Sequence, residues 1–256
     1  MRRTALPNQL RLIYRNIRVN TDPGSLVILV GLPAMYLVFF GYGFASLISH
    51  GGTAYLSYLT PGIMAFQAVM AGTVGGSMLW ADRRYGMLAQ LLVGPFTRFQ
   101  YLLGIMLTSI LFGLAGAGLM LLVAFVLLGS IPTHAIALGL IFGSIVLGSL
   151  FFGSLMLLLA ALVKSNNAYN SVQILLLFVV NFASTVFYPL SSGLPVVLHA
   201  LFLVNPLTYV ADGVRGAYLG SFTLTEGYQL LVLAAETGVV LVLAIRAYLR
   251  SNVSFE

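Results

Sequence analysis

The sequence predicts an all-α membrane protein with six transmembrane helices, an N-terminal amphipathic interfacial helix and a re-entrant helical hairpin before the last span. Three observations predict it. Only 7% of the residues are charged and 60% are hydrophobic, against roughly 25% charged in a soluble domain, so the chain lacks the polar surface to cover itself in water. The apolar residues come in long unbroken runs rather than alternating with polar ones, which selects helices over a barrel. Eleven of the twelve Lys and Arg residues fall on one side of any membrane those runs can cross, with Arg215 alone on the other.

The elements follow in order. In 1–23, Leu6, Leu10, Ile13 and Ile17 recur at helical spacing, and Arg11, Arg15 and Arg18 lie largely off that stripe. This pattern predicts a helix lying in the interface, with its arginines near anionic headgroups. Asp22-Pro23-Gly24 breaks it. Spans are then expected at 26–48, 60–80, 102–128, 135–163, 172–188 and 229–249, since crossing a core of about 30 Å takes ~20 apolar residues. Gly72 and Gly76, Gly139 and Gly143, and the cluster Gly113, Gly116 and Gly118 suit close packing of helices. The excess of Arg on one side puts both termini in the cytoplasm, as a multi-pass protein of the cell membrane.

Several function classes are excluded by composition. There is no cysteine, which removes disulfides and thiolate metal sites. His50, His134 and His199 fall in or near loops, and no Ser-His pair or acidic cluster lies within a span. No G-x-x-x-x-G-K-[ST] occurs, and the single lysine, Lys164, follows no glycine-rich loop. The chain therefore carries no nucleotide site of its own, and no cofactor is expected in it. The net charge of +6 is distributed for topology and leaves no basic face for nucleic acid.

Two segments carry more than topology. The connection 81–98 reads Asp82-Arg83-Arg84-Tyr85-Gly86-Met87-Leu88-Ala89-Gln90-Leu91-Leu92-Val93-Gly94-Pro95-Phe96-Thr97-Arg98. Leu88, Leu91 and Leu92 share one face of a short helix closed by Gly94-Pro95, an element able to dock in a groove of a soluble partner or to lie on lipid. The stretch 190–220 holds two short helices broken at Asn205, with Pro195 and Pro206 at their first turns. Asp212 and Arg215 lie one turn apart and can pair. Such irregular backbone at membrane depth must be buried in protein or line a cavity.

Both segments resemble those of the type-2 ATP-binding-cassette exporter permeases, the ABC-2 membrane domains. The stretch from Arg84 to Arg98 is similar to that family's cytoplasmic coupling region, and Phe187-Tyr188-Pro189, Leu194-Pro195, Asn205-Pro206-Leu207-Thr208 and Arg215 are similar to its outer re-entrant pair. The order of elements resembles the family over nearly the whole chain. The chain departs from it at Met87 and Ala89, where many members have Thr and Glu. This removes an acidic contact to the ATPase and leaves docking to Arg83, Arg84 and the leucines.

The resemblance implies a half-permease that forms a homodimer through its first and fifth spans. Each copy docks one of two cytoplasmic ATPase subunits, which bind ATP and Mg. The coupling residues it implies are Arg83, Arg84, Tyr85, Gly86, Leu88, Leu91, Leu92 and Pro95. Candidates for the translocation path or outer gate are Phe178, Asn181, Phe182, Phe187, Tyr188, Asn205, Asp212, Arg215 and Glu236. Glu236 is the one charge deep in a span, with Asp212 and Arg215 as candidate neighbours. The cargo implied is an amphipathic drug, lipid, glycolipid or polysaccharide. The competing readings are an ion-coupled secondary transporter, for which only Glu236 offers itself, and an intramembrane lipid-modifying enzyme.

Overall fold

The computed structural model describes residues 7–27, 31–45, 52–129, 132, 134–190 and 195–251. Arg2, Arg3, Leu6, His50, Leu194 and, of the predicted first span, 28–30 and 46–48 lie outside the described residues. The described elements are helices: α1 (Asn8–Asn20), α2 (Pro23–Leu26), α3 (Leu32–Ala45), α4 (Gly52–Arg84), α5 (Met87–Val93), α6 (Arg98–Leu128), α7 (Ala135–Leu162), α8 (Asn166–Phe182), α9 (Val196–Val204), α10 (Pro206–Leu219) and α11 (Leu224–Arg250).

Four of them, α4, α6, α7 and α11, are long and apolar enough to cross a membrane. They match the second, third, fourth and sixth predicted spans. The chain is thus an all-helical, multi-pass membrane protein. Within the predicted first span the structure describes α3, whose apolar part among the described residues is Leu32–Gly41. The 17 residues of α8 reach about 26 Å at 1.5 Å each, short of a ~30 Å core. The predicted fifth span is interrupted because residues 183–188 leave the helix and run on as turns at buried depth. The pair α9–α10 bends by 71° at Asn205, and as one unit it is apolar enough to count as a fifth crossing.

The core is built on α4, which packs against α3, α6, α7 and α10. Its most apolar stretch is 89% buried within the protein, against 17% for α11, so α4 is the central span and α11 a peripheral one. Glycine makes the closest crossing possible. A Cβ on Gly72 would lie 2.6 Å from the Phe152 carbonyl carbon, and one on Gly76 2.5 Å from Met156 Cβ, so α4 and α7 meet nearly backbone to backbone. Gly118, Gly139 and Gly143, which the sequence also offers for packing, face open space instead. Five hydroxyls within the spans bond to their own helix: Thr60, Thr108, Ser144, Ser154 and Thr237 each donate to the carbonyl four residues earlier.

Connections place the charges. Thr97 caps α6 in a reciprocal capping box with Gln100. Arg83 at the end of α4 donates to the Ala160 and Ala161 carbonyls of α7, at 2.7 and 3.1 Å. Arg98 at the start of α6 donates to the Leu249 carbonyl of α11 at 3.0 Å. The ends of four spans are therefore gathered at one end of the bundle, together with the basic residues there.

Candidate functional site: the arginine-rich end, the opposite knot and the cavity between them

At the arginine-rich end, α1 lies on α6 through Leu12 and Asn16, both buried. Arg15 does not reach towards headgroups, as its position off the apolar stripe suggests. It grips Asp82 with both terminal nitrogens, Nη1 to Oδ2 at 2.6 Å and Nη2 to Oδ1 at 2.5 Å. Tyr101 donates to the same Oδ2 at 2.7 Å. The bond to Asp82 is the main cause that holds the Arg15 guanidinium above its ordinary pKa, so it stays charged. Asn8 and Gln9 add bonds to the Pro95 and Gln100 carbonyls. Helix α1 is thus tied to α4, α6 and the α5–α6 turn. Arg11 and Arg18 are exposed on its outer side. The residues missed from sequence are Asp82 and Tyr101, because nothing local links positions this far apart.

Helix α5 starts after Gly86, whose φ of 71° is a left-handed conformation suited to glycine. Its leucine face turns inward. Leu88 is 1% exposed inside the cluster formed with Leu12, Tyr101 and Leu102, and Leu91 and Leu92 pack against it. Leu88 is enclosed and offers no surface to a partner, while Leu91 and Leu92 are half-buried. Arg83 is likewise 3% exposed. The outward surface of the segment is made by Arg84, Tyr85, Met87 and Val93, with Tyr85 at 76% and Val93 at 90% exposed, and by Pro95. Arg84 sits over the Trp80 ring, 5.4 Å from its centre.

At the opposite end, residues 183–188 are knotted to α4 and α10. Arg215 donates to the Thr185 carbonyl at 2.7 Å and the Tyr58 carbonyl at 3.3 Å, pairs with Asp212 at 2.9 Å and covers the Tyr58 ring at 3.8 Å. Thr185 donates to Asp212 at 2.7 Å, and Tyr58 to the Thr185 carbonyl at 2.7 Å. The expected Asp212–Arg215 pair is present, and it sits inside a satisfied network, as a charge pair removed from water requires. Asn205 caps α10 by accepting from the Leu207 N–H, while its amide nitrogen donates to the Val180 and Ala183 carbonyls at the end of α8, both at 2.7 Å. One amide therefore serves three backbone groups from two helices. Tyr188 donates to the Phe182 carbonyl, and Phe182 stacks on Phe187.

Glu236 is not part of this network. Its Oε2 is buried with no hydrogen-bond partner among the described residues, and Asp212 takes Gln229 instead, at 3.4 Å. Gln67 of α4 was missed by sequence reasoning. It is fully buried at the centre of the bundle, its amide without a hydrogen-bond partner among the described residues.

Between the two ends, α3, α4 and α8 enclose a cavity of about 190 Å³ lined by Leu32, Tyr36, Phe66, Met70, Phe178 and Asn181. Asn181 is 2% exposed and its Oδ1 is unpartnered among the described residues. Of the candidate path residues, Phe178 and Asn181 line the cavity, and Phe182, Phe187, Tyr188, Asn205, Asp212, Arg215 and Glu236 do not. No group of three or more His, Asp or Glu able to hold a metal exists among the described residues.

A short helix between two spans at the basic end, and a broken helix pair tied by Asn205 and Arg215 at the other, are the two features that the resemblance singled out. The family model described as ABC-2 type transporter matches residues 10–219. The chain belongs to that family. The match runs from within α1 to the end of α10 and so takes in both features. The ABC-2 assignment makes the chain a membrane permease, a transport protein. A search of curated proteins found no significant match.

Proposed function

We propose that this permease is the membrane-spanning half of an ATP-driven exporter, with both termini in the cytoplasm and the six crossings that the sequence predicts. Two copies pair, each docks a cytoplasmic ATPase subunit, and ATP and Mg are bound there. The observation that carries the reading is the construction of α5. It is anchored by Leu88 beneath and presents Tyr85, Met87 and Val93 outward at the basic end. Exposed apolar side chains on a rigidly held helix suit a groove on a partner, and the tie of Arg83 to α7 gives a push on that helix a direct route to the spans.

The path for an amphipathic cargo runs by Phe178 and Asn181. At about 190 Å³ the cavity is smaller than the ~300–1,000 Å³ of a complete ligand site, which suits half of a path completed by a second copy. Leu32, Met35 and Phe39 of α3 and Ile174, Leu175 and Phe178 of α8 are exposed beside it. Asn166, Asn167 and Asn170 on α8 are exposed too, and polar groups there suit a facing copy better than lipid.

Mild-detergent purification of the tagged chain from native membranes tests the proposal. Recovery of a cassette ATPase in equal amount is expected, with its loss in Val93→Asp at an unchanged melting temperature. Recovery of the permease alone, from membranes in which other complexes survive, would overturn it.

A further inference from the structure

At the basic end, a groove of about 620 Å³ opens between α7 and α11. Its walls include Leu158, Leu162 and Leu243, and Arg246 and Arg250 stand at its mouth. A second hollow of about 550 Å³ shares Leu243 and Arg246 with it and extends along α11 past Val242 to Gly238 and Ala235. Gly238, Val242, Arg246 and Arg250 are spaced by four, so they form one stripe along the helix. The stripe has small residues at one end and two cations at the other.

Among the described residues Arg246 and Arg250 make no hydrogen bond or ion pair, whereas Arg15, Arg83, Arg98 and Arg215 all do. They are not needed to cap the helix ends beside them. The last carbonyls of α7 take Arg83, and Leu249 of α11 takes Arg98. Basic side chains near a helix C-terminus usually serve that dipole, and here other residues already do so.

We propose that this groove is a binding site for one anionic phospholipid, with its phosphate between Arg246 and Arg250 and an acyl chain along Val242 and Gly238. Charge complementarity selects an anionic headgroup, and the bidentate fork of arginine suits phosphate. Length selects a lipid over a free anion. From Arg250 to Gly238 is twelve residues, about 18 Å at 1.5 Å each, close to one leaflet of a ~30 Å core. The bound lipid fills the side of the least enclosed span and fixes its end against α7. The inference rests on the reading above only in placing this end at the cytoplasmic headgroup layer.

The test is native mass spectrometry of the purified permease after exchange into phosphatidylglycerol or phosphatidylcholine mixed micelles, with ATPase binding scored on the same samples. The expected result is one phosphatidylglycerol retained per chain, on the order of thirtyfold better than phosphatidylcholine, since each of the two arginines near anionic lipid contributes ~1 kcal/mol. Arg246→Gln with Arg250→Gln should erase the preference, and the double lysine variant should keep much of it. Gly238→Trp fills the tail hollow and should lower retention of both lipids; it is expected to fold, because a Cβ there meets nothing within 4 Å. Equal retention of both lipids by the unaltered chain, or unchanged retention by the double glutamine variant, would overturn the site. Loss of ATPase binding in every lipid, with phosphatidylglycerol still held, would count against the docking reading and not against this one.

Discussion

Asp82 receives Arg15 through both of its carboxylate oxygens, at 2.5 and 2.6 Å, and so joins α1 to the end of the central span. The side chain of Asp82 is 9% exposed and that of Arg15 25%. Removing either leaves the other poorly solvated, with Tyr101 still donating to the carboxylate if Asp82 remains. A bond of this charged type is worth ~1.5–3 kcal/mol. Asp82→Asn and Arg15→Ala should each lower thermal stability by that order, and the swap Arg15→Asp with Asp82→Arg should recover part of it. Thermal melting of the three variants checks this; single variants melting like the parent would show that the clasp is not engaged in the membrane.

Leu88 and Val93 lie on opposite faces of α5 and should fail differently. Leu88 is enclosed, and truncating a buried leucine to alanine costs ~2–5 kcal/mol, so Leu88→Ala should melt earlier. Val93→Asp changes only a 90% exposed side chain. It should leave melting unchanged and reduce ATPase co-purification at least severalfold. The opposite pattern would return the docking role to the leucine face.

Asn205 holds the bend between α9 and α10. Asn205→Ala removes the cap of α10 and leaves the Val180 and Ala183 carbonyls without that donor. A lost cap alone costs ~1 kcal/mol, and two orphaned carbonyls add to it, so a loss of ~2–4 kcal/mol is expected. Denaturant or thermal unfolding in micelles measures it, and Asn205→Asp, which keeps the cap and loses the amide donor, should fall between.

Gly72 and Gly139 separate packing from composition. Gly72→Ala drives a methyl to within 2.6 Å of the α7 backbone and should destabilise the permease, while Gly139→Ala meets nothing and should not. Overpacking of this kind costs ~1–3 kcal/mol, visible as a shift in melting temperature for the first variant alone.

Glu236→Gln should not lower stability, because the Oε2 it replaces has no hydrogen-bond partner among the described residues and a carboxylate in a span costs ~2.5–3.5 kcal/mol. An equal or higher melting temperature is expected. A clear fall would reveal a partner, and an export defect at unchanged stability would place Glu236 on the path.

The sequence by itself determined the class and the order of parts. Hydropathy, the clustering of Arg on one side and the breaks at Pro23, Pro95 and Pro206 are local signals, since a bilayer imposes length and charge on each segment separately. The Asp212–Arg215 pair was legible for the same reason, being one helical turn. The direction of a helix face was not legible. An apolar stripe such as Leu88, Leu91 and Leu92 reads the same whether it meets a partner, lipid or its own bundle. Only the tertiary structure turned it inward onto Leu12 and Tyr101. It alone also joined Arg15 to Asp82, Arg83 to Ala160, and Asn205 to Val180. Each of those contacts joins helices far apart in the chain, and which buried polar groups meet depends on how the spans pack together.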